Sequence, residues 1–147
     1  VAMALFGKVA IWRHRGEIRQ AYELGHSEII PCLAGETSRV SVLVYNTMAI
    51  LAQELGYTEE AIRHFYTALN DAKALQNNNR VAQIMANLGE IFYVSGNAED
   101  AEVLLEEATL LAHNSNERWL APFISTMLAL CKVSLDKYEE AYLNLLL

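Results

Sequence analysis

The sequence is poor in the residues that staple, break or bend a chain. Its two cysteines, Cys32 and Cys131, cannot build a disulfide framework. They read as free thiols in a reducing, cytoplasmic compartment. Two prolines and seven glycines are too few for the turns of a β-sandwich. No apolar run reaches the roughly 18 residues that a membrane helix needs. The first basic residue, Lys8, follows the apolar start instead of preceding it as in a signal peptide, and no Asn-x-Ser/Thr acceptor occurs. Basic residues are scarce too. Eleven Lys and Arg against 18 Asp and Glu leave a net charge of −7, which argues against nucleic acid as the main partner. What the sequence has in quantity is apolar surface: 53% of 147 residues, enough for a core without metal or disulfide. The chain starts at Val1 and stops at Leu145-Leu146-Leu147, which reads as a piece of a longer protein.

An internal repeat organises the chain. Arg15-Gly16-Glu17-Ile18-Arg19-Gln20-Ala21 aligns with Leu55-Gly56 through Ala61, with Ser95-Gly96 through Ala101, and with Leu135-Asp136 through Ala141. The alanines fall at 21, 61, 101 and 141, a step of 40 without a slip. Each unit reads as two helices. Leu43, Val44, Met48, Leu51 and Leu55 have helical spacing. Gly56 suits the left-handed residue after a helix end, since it has no Cβ to clash. Thr58 then reads as an N-cap before Glu59 and Glu60, and Asn97 as the cap of the corresponding helix one unit later. Asp136 and Glu139 have the spacing of a capping box. No stretch alternates with period two, so the spacing predicts an all-α chain.

Small residues set the packing. Ala49, Gly89 and Ala129 share one place on the first helix of their units, and Ala61 and Ala68, then Ala101 and Ala108, share a face of the second. These predict closely approaching antiparallel helices, with Tyr45, Phe65, Phe92 and Leu105 filling the space between pairs. A single hairpin cannot bury both faces, so the units must stack.

This pattern resembles the tetratricopeptide repeat. Leu88-Gly89, Phe92, Gly96, Ala101, Leu105 and Ala108 match it in the third unit, and Tyr45, Met48-Ala49, Gly56, Ala61, Phe65 and Ala68 in the second. The fourth keeps Leu128-Ala129, Tyr138, Ala141 and Leu145. The first departs: Lys8, Gly25 and Glu28 stand where the family keeps other residues, and Phe6-Gly7 reads as a counterpart of Leu88-Gly89 two residues out of phase. The resemblance implies a right-handed α-α superhelix of antiparallel pairs, a single repeat domain with units about 2–36, 37–77, 78–116 and 117–147, the last truncated. The 40-residue step exceeds the usual 34. Long units of this kind resemble those of bacterial regulatory and signalling proteins.

The resemblance also implies a concave groove lined by first helices. Carried over residue by residue, it takes Leu43, Asn46, Thr47, Ile50 and Gln53 from the second unit and Gln83, Ala86, Asn87, Glu90 and Tyr93 from the third. Phe123, Thr126, Met127 and Leu130 follow in the fourth. Amides among apolar groups suit a peptide or a helix. Asn87 alone fits the family's clamp for an acidic chaperone tail, so that ligand is not expected.

Nothing in the pattern points to catalysis. His14, His26, His64 and His113 never stand three or four apart, so no helix face offers a histidine pair, and neither metal nor cofactor is expected. Cys131 lies among Leu128, Ala129, Leu130 and Val133 and reads as core, while Cys32 follows Pro31 in a loop-like stretch and reads as exposed. Residues 81–120 hold Glu90, Glu99, Asp100, Glu102, Glu106, Glu107 and Glu117 against one Arg, six of the seven net charges. They read as a solvated convex face, with an acidic docking patch as the alternative. The basic run Lys8, Arg13, Arg15 and Arg19 lacks the interleaved aromatics of a nucleic-acid site. The apolar ends, Val1 to Phe6 and Leu143 to Leu147, predict self-association. The sequence thus predicts a non-enzymatic module that binds a protein or peptide. The alternative is a sensory input domain of a larger bacterial signalling protein, with its kinase, cyclic-dinucleotide synthase or DNA-binding output elsewhere.

Overall fold

Four times along the chain a helix ends in the same way. The amide of Gly16 donates to the carbonyl of Arg13 at 3.0 Å and that of Glu17 to Trp12 at 2.9 Å. Gly56 to Gln53 and Tyr57 to Ala52 repeat the pair, as do Gly96 to Tyr93 and Asn97 to Phe92, and then Asp136 to Val133 and Lys137 to Lys132. This double bond closes a helix end only if the residue between is left-handed. The φ angles of Gly16, Gly56, Gly96 and Asp136 are indeed +79°, +78°, +84° and +59°. A computed structural model describes residues 1–113 and 119–146, and among them are eight helices and no strand.

In chain order these are α1 (Ala2–His14), α2 (Ile18–Leu24), α3 (Arg39–Glu54), α4 (Thr58–Ala74), α5 (Asn78–Val94), α6 (Ala98–Ala112), α7 (Leu120–Ser134) and α8 (Tyr138–Leu146). Two features of the capping differ from the sequence reading. Thr58 is the first residue of α4, not its cap: Tyr57 holds the cap position and makes no side-chain cap bond. Asp136 caps nothing either. It occupies the left-handed turn position, and its carboxylate accepts from Tyr138 Oη at 2.8 Å. One residue cannot lie in the turn and also stand at the extended N-cap. Asn97 does cap α6, its Oδ1 accepting from the Asp100 amide.

The chain divides into two compact units, Val1–Gln76 and Asn77–Leu147. In the first, α3 and α4 pack as a hairpin, and α1 and α2 pack against each other and onto α3. Ser38 and Ser41 form a reciprocal capping box at the start of α3. Asp71, from the far end of α4, accepts from Thr37 Oγ1 at 2.9 Å and from Ser41 Oγ. A carboxylate there also meets the positive end of the α3 dipole. In the second unit α5 pairs with α6, α6 with α7, and α7 with α8.

Small residues let the hairpins close. Ala49, Ala61, Ala68, Ala101 and Ala108 are wholly buried, as are Phe65 and Leu105. Tyr45 and Phe92 are half-buried. A Cβ on Gly89 would stand 2.7 Å from Leu105 Cγ, closer than side chains tolerate. The first unit uses the same rule with the sizes exchanged. Val9, 1% exposed, holds the place of Ala49, Gly89 and Ala129, while Gly25 holds the place of Phe65 and Leu105. The Met48 thioether fills the space beside Gly25. Gly7 is exposed with nothing near its missing Cβ, so Phe6-Gly7 is not the counterpart of Leu88-Gly89.

α2 continues through a π-helical turn at Gly25–Ile29 and a last turn at Ile30–Cys32. Cys32 therefore ends a helix instead of lying in a loop. Pro31 lacks an N–H and its ring crowds the carbonyl four residues back, and the wider π turn absorbs both defects. That turn carries His26.

Candidate functional site

The first helix of each hairpin presents a half-buried stripe. On α5, Gln83, Asn87, Glu90 and Tyr93 are all half-buried, whereas Val81, Ile84, Met85 and Leu88 on the other side are buried. At 100° per residue the four lie within about 120° of the helix circumference. Gln83 Oε1 accepts from Arg80 Nη1 at 2.5 Å, which orients its amide. Leu43, Thr47, Ile50 and Gln53 form the same kind of stripe on α3. Asn46 and Ala86 depart from the expected surface placement, at 8% and 0% exposure. On α7, Phe123 is half-buried, Thr126 and Leu130 are exposed, and Met127 is buried. Helices this apolar turn more of their circumference inward than a surface stripe allows.

The acidic helix α6 is not the uniformly solvated face that its composition predicts. Glu102 is 8% exposed, and Lys137 Nζ donates to both its carboxylate oxygens, at 3.0 and 2.7 Å. Lys132, also buried, stands 3.4 Å from Glu106 and 3.1 Å from Glu140. Burial alone would lower the Lys132 pKa, but its bonds to Glu140 and Glu106 outweigh this and hold it above the ordinary lysine value. Lys137 is raised chiefly by its bond to Glu102. Two lysines after residue 130 thus tie α6 to α7 and to the turn before α8. Glu99, Asp100 and Glu107 remain exposed, and Glu117 lies outside the described residues.

The basic run near the start is likewise engaged within its own unit. Arg13 donates through Nε and Nη2 to one oxygen of Glu54, at 3.2 and 2.9 Å. Lys8 Nζ lies 4.4 Å from the Trp12 ring centre. Cys131 is buried and Cys32 exposed, as the sequence reading has it. Val1 and Met3 are exposed at one end, and Tyr142, Leu143, Leu145 and Leu146 on α8.

One grouping escaped the sequence reading. His26, Glu60 and His64 each offer a ligand atom, and the three atoms lie within 4.8 Å of one another. Glu60 and His64 are four apart on one face of α4, and His26 reaches them from the π turn of α2. Counting histidine against histidine misses this set, because its helical pair is mixed and its third member lies 34 residues earlier. Tyr22 and Tyr57 pack edge to face beside it, ring centres 5.7 Å apart. Tyr45 lies against His64 at 5.9 Å.

Comparison with known proteins agrees with this architecture. Residues 41–111 match the family model of the tetratricopeptide repeat. None of the curated proteins matches the sequence. The crystal structure of BtubC (BKLC) from P. vanneervenii is 19% identical, with a TM-score of 0.89 over 97% of this chain and 59% of that one. The crystal structure of "Podosopora anserina putative kinesin light chain nearly identical TPR-like repeats" is 14% identical, with a TM-score of 0.80 over 97% of this chain and 70% of that one. The chain thus spans little more than half the length of the first. At these identities the likeness is one of fold. With the matched segment, the four equivalent helix-ending turns and the small-residue pattern, the conclusion is that residues 41–111 match the tetratricopeptide repeat and that the chain has the fold of a TPR-like helical solenoid.

Proposed function

We propose that the chain binds a protein or peptide segment along the half-buried stripes of its first helices, above all Gln83, Asn87, Glu90 and Tyr93 on α5. Tetratricopeptide repeats are in general protein-interaction modules, and such fold families are typically non-catalytic. The observation that carries the finer reading is the composition of the α5 stripe. Two amides, a carboxylate and a phenol share a helix face that packing does not fully cover. Amides match a partner's main chain, and Tyr93 offers a rigid aromatic anchor. Ile50 and Gln53 offer similar chemistry on α3, within the first unit. Among the described residues no helix is long and apolar enough to cross a membrane. The 40-residue step, which resembles that of bacterial regulators, favours a second reading in which the bound segment controls an output domain.

The test is to identify partners by capture from the source cell and then measure each by calorimetry. Tyr93→Ala and Asn87→Ala are expected to weaken binding by about 1 kcal/mol or more. Glu99→Lys, at an exposed position of α6, is expected to leave affinity unchanged apart from a salt-dependent on-rate. Binding that survives both α5 substitutions and is lost with Glu99→Lys would place the site on the acidic helix instead.

A further inference from the structure

We propose that His26, Glu60 and His64 bind one divalent transition-metal ion, Zn2+ by donor preference, clamping the π turn of α2 to the first turns of α4. This site is independent of the α5 stripe.

Three observations support it. First, two imidazole nitrogens and a carboxylate oxygen converge to within 4.8 Å, the only such group of three among the described residues. Zinc bonds of about 2.0–2.2 Å place tetrahedral donors about 3.3 Å apart, so binding requires a contraction of about 1.5 Å. Rotation of the His26 side chain can supply it, because His26 is exposed. Second, His64 Nε2 is buried without a hydrogen-bond partner. Its nearest counter-charge, Glu60 Oε2, lies at 3.8 Å, too far for a hydrogen bond. A buried ring nitrogen left in this way is costly unless something unseen by the chain alone satisfies it. Third, the carboxylate is already divided between two tasks. Glu60 Oε1 accepts from Arg63 Nη2 at 2.7 Å, which fixes the carboxylate and turns Oε2 towards His64. A hydrogen-bonded carboxylate of this kind is how proteins orient a metal ligand.

Three protein donors leave a fourth position, and the exposure of His26 opens it to water. Joining α2 to α4 through an ion that the unfolded chain binds poorly would stabilise the first unit by linkage.

The experiment uses the full 147-residue chain, stripped with a chelator and titrated with Zn2+ by calorimetry, and with Co2+ by visible absorption. The expected result is one ion per chain, a cobalt spectrum of the four-coordinate type, and a melting temperature that rises with Zn2+. His26→Gln, at an exposed position, should lower the affinity at least about tenfold and abolish the thermal rise, without changing the melting temperature of the stripped protein. Glu60→Gln should do the same to the affinity. His64→Gln should abolish binding, but because His64 is buried its folding must be checked separately. Undiminished affinity in His26→Gln, no stoichiometric binding at all, or binding lost only in Cys32→Ser would each overturn the site.

Discussion

The Met48 thioether occupies the space that a Cβ on Gly25 would need, so α2 and α3 meet where no methyl group fits. Leu105 stands in the same relation to Gly89 in the second unit. The two contacts differ in what can yield. Met48 crowds Gly25 with its sulfur and terminal methyl, the flexible end of an unbranched chain. Leu105 crowds Gly89 with Cγ, its branch point.

Three glycine substitutions should therefore separate in sign and size. Gly89→Ala is expected to cost about 1–3 kcal/mol through overpacking. Gly25→Ala should cost less, and Met48→Ala should cost less in its presence than alone. Gly7→Ala, mid-helix with open space around it, should stabilise by about 0.5–1 kcal/mol. Urea unfolding of the three variants and of the double mutant tests the order.

Asp136 holds a left-handed conformation that Gly16, Gly56 and Gly96 adopt without strain. Asp136→Gly is expected to stabilise by up to about 1 kcal/mol, since a side chain in this region costs about 1–2 kcal/mol and the lost bond to Tyr138 is exposed. Gly56→Ala should destabilise by a similar amount. Thermal melts of both decide it.

The buried acid on α6 should behave unlike its neighbours. Glu102→Lys faces Lys137 with a like charge in a buried place and is expected to lower the melting temperature by about 5 °C or more. Glu99→Lys, which reverses only an exposed charge in the first turn of α6, should lower it by less, about 2 °C. Lys132 adds a pH dependence. Its folded pKa is raised, so its contribution is complete below the unfolded value, near 10.5, and is lost as pH rises through the folded one. Between about pH 10 and pH 12 the wild type should lose more stability than Lys132→Met.

The thiols should react in sequence. Burial, with Glu102 nearby, pushes the Cys131 pKa up to about 11. At about pH 8 its thiolate fraction is then near one in a thousand, and the sulfur is covered besides. One thiol per chain, Cys32, should label rapidly in the native protein, and the second only after unfolding. Two rapid thiols in the native state would contradict the buried position of Cys131.

The helix-ending turns were legible because their causes are local. A glycine or aspartate at a 40-residue step, followed five places on by alanine, states where a helix stops and which face of the next is buried. Asn97 was readable as a cap for the same reason. Thr58 was not, because the turn at Gly56 gives the cap position to Tyr57 whatever its side chain. The exchange of sizes between Val9 and Gly25 also hid from the alignment. Each looks like a departure when read alone, and only the packing shows that one offsets the other.

The sequence alone determined the all-α repeat, its register and the alanines that face inward, since helical period and turn chemistry act within a few residues. Tertiary structure decided which polar groups leave water. Glu102 meets Lys137 across 35 positions, and His26 meets Glu60 and His64 across 34 and 38. Composition marks Glu102 as one acid on an acidic surface and His26 as one of four scattered histidines. The burial of Glu102 and His64, and the partners of all of these groups, depend on how one helix is laid against another, and that is set by the summed packing of side chains along both.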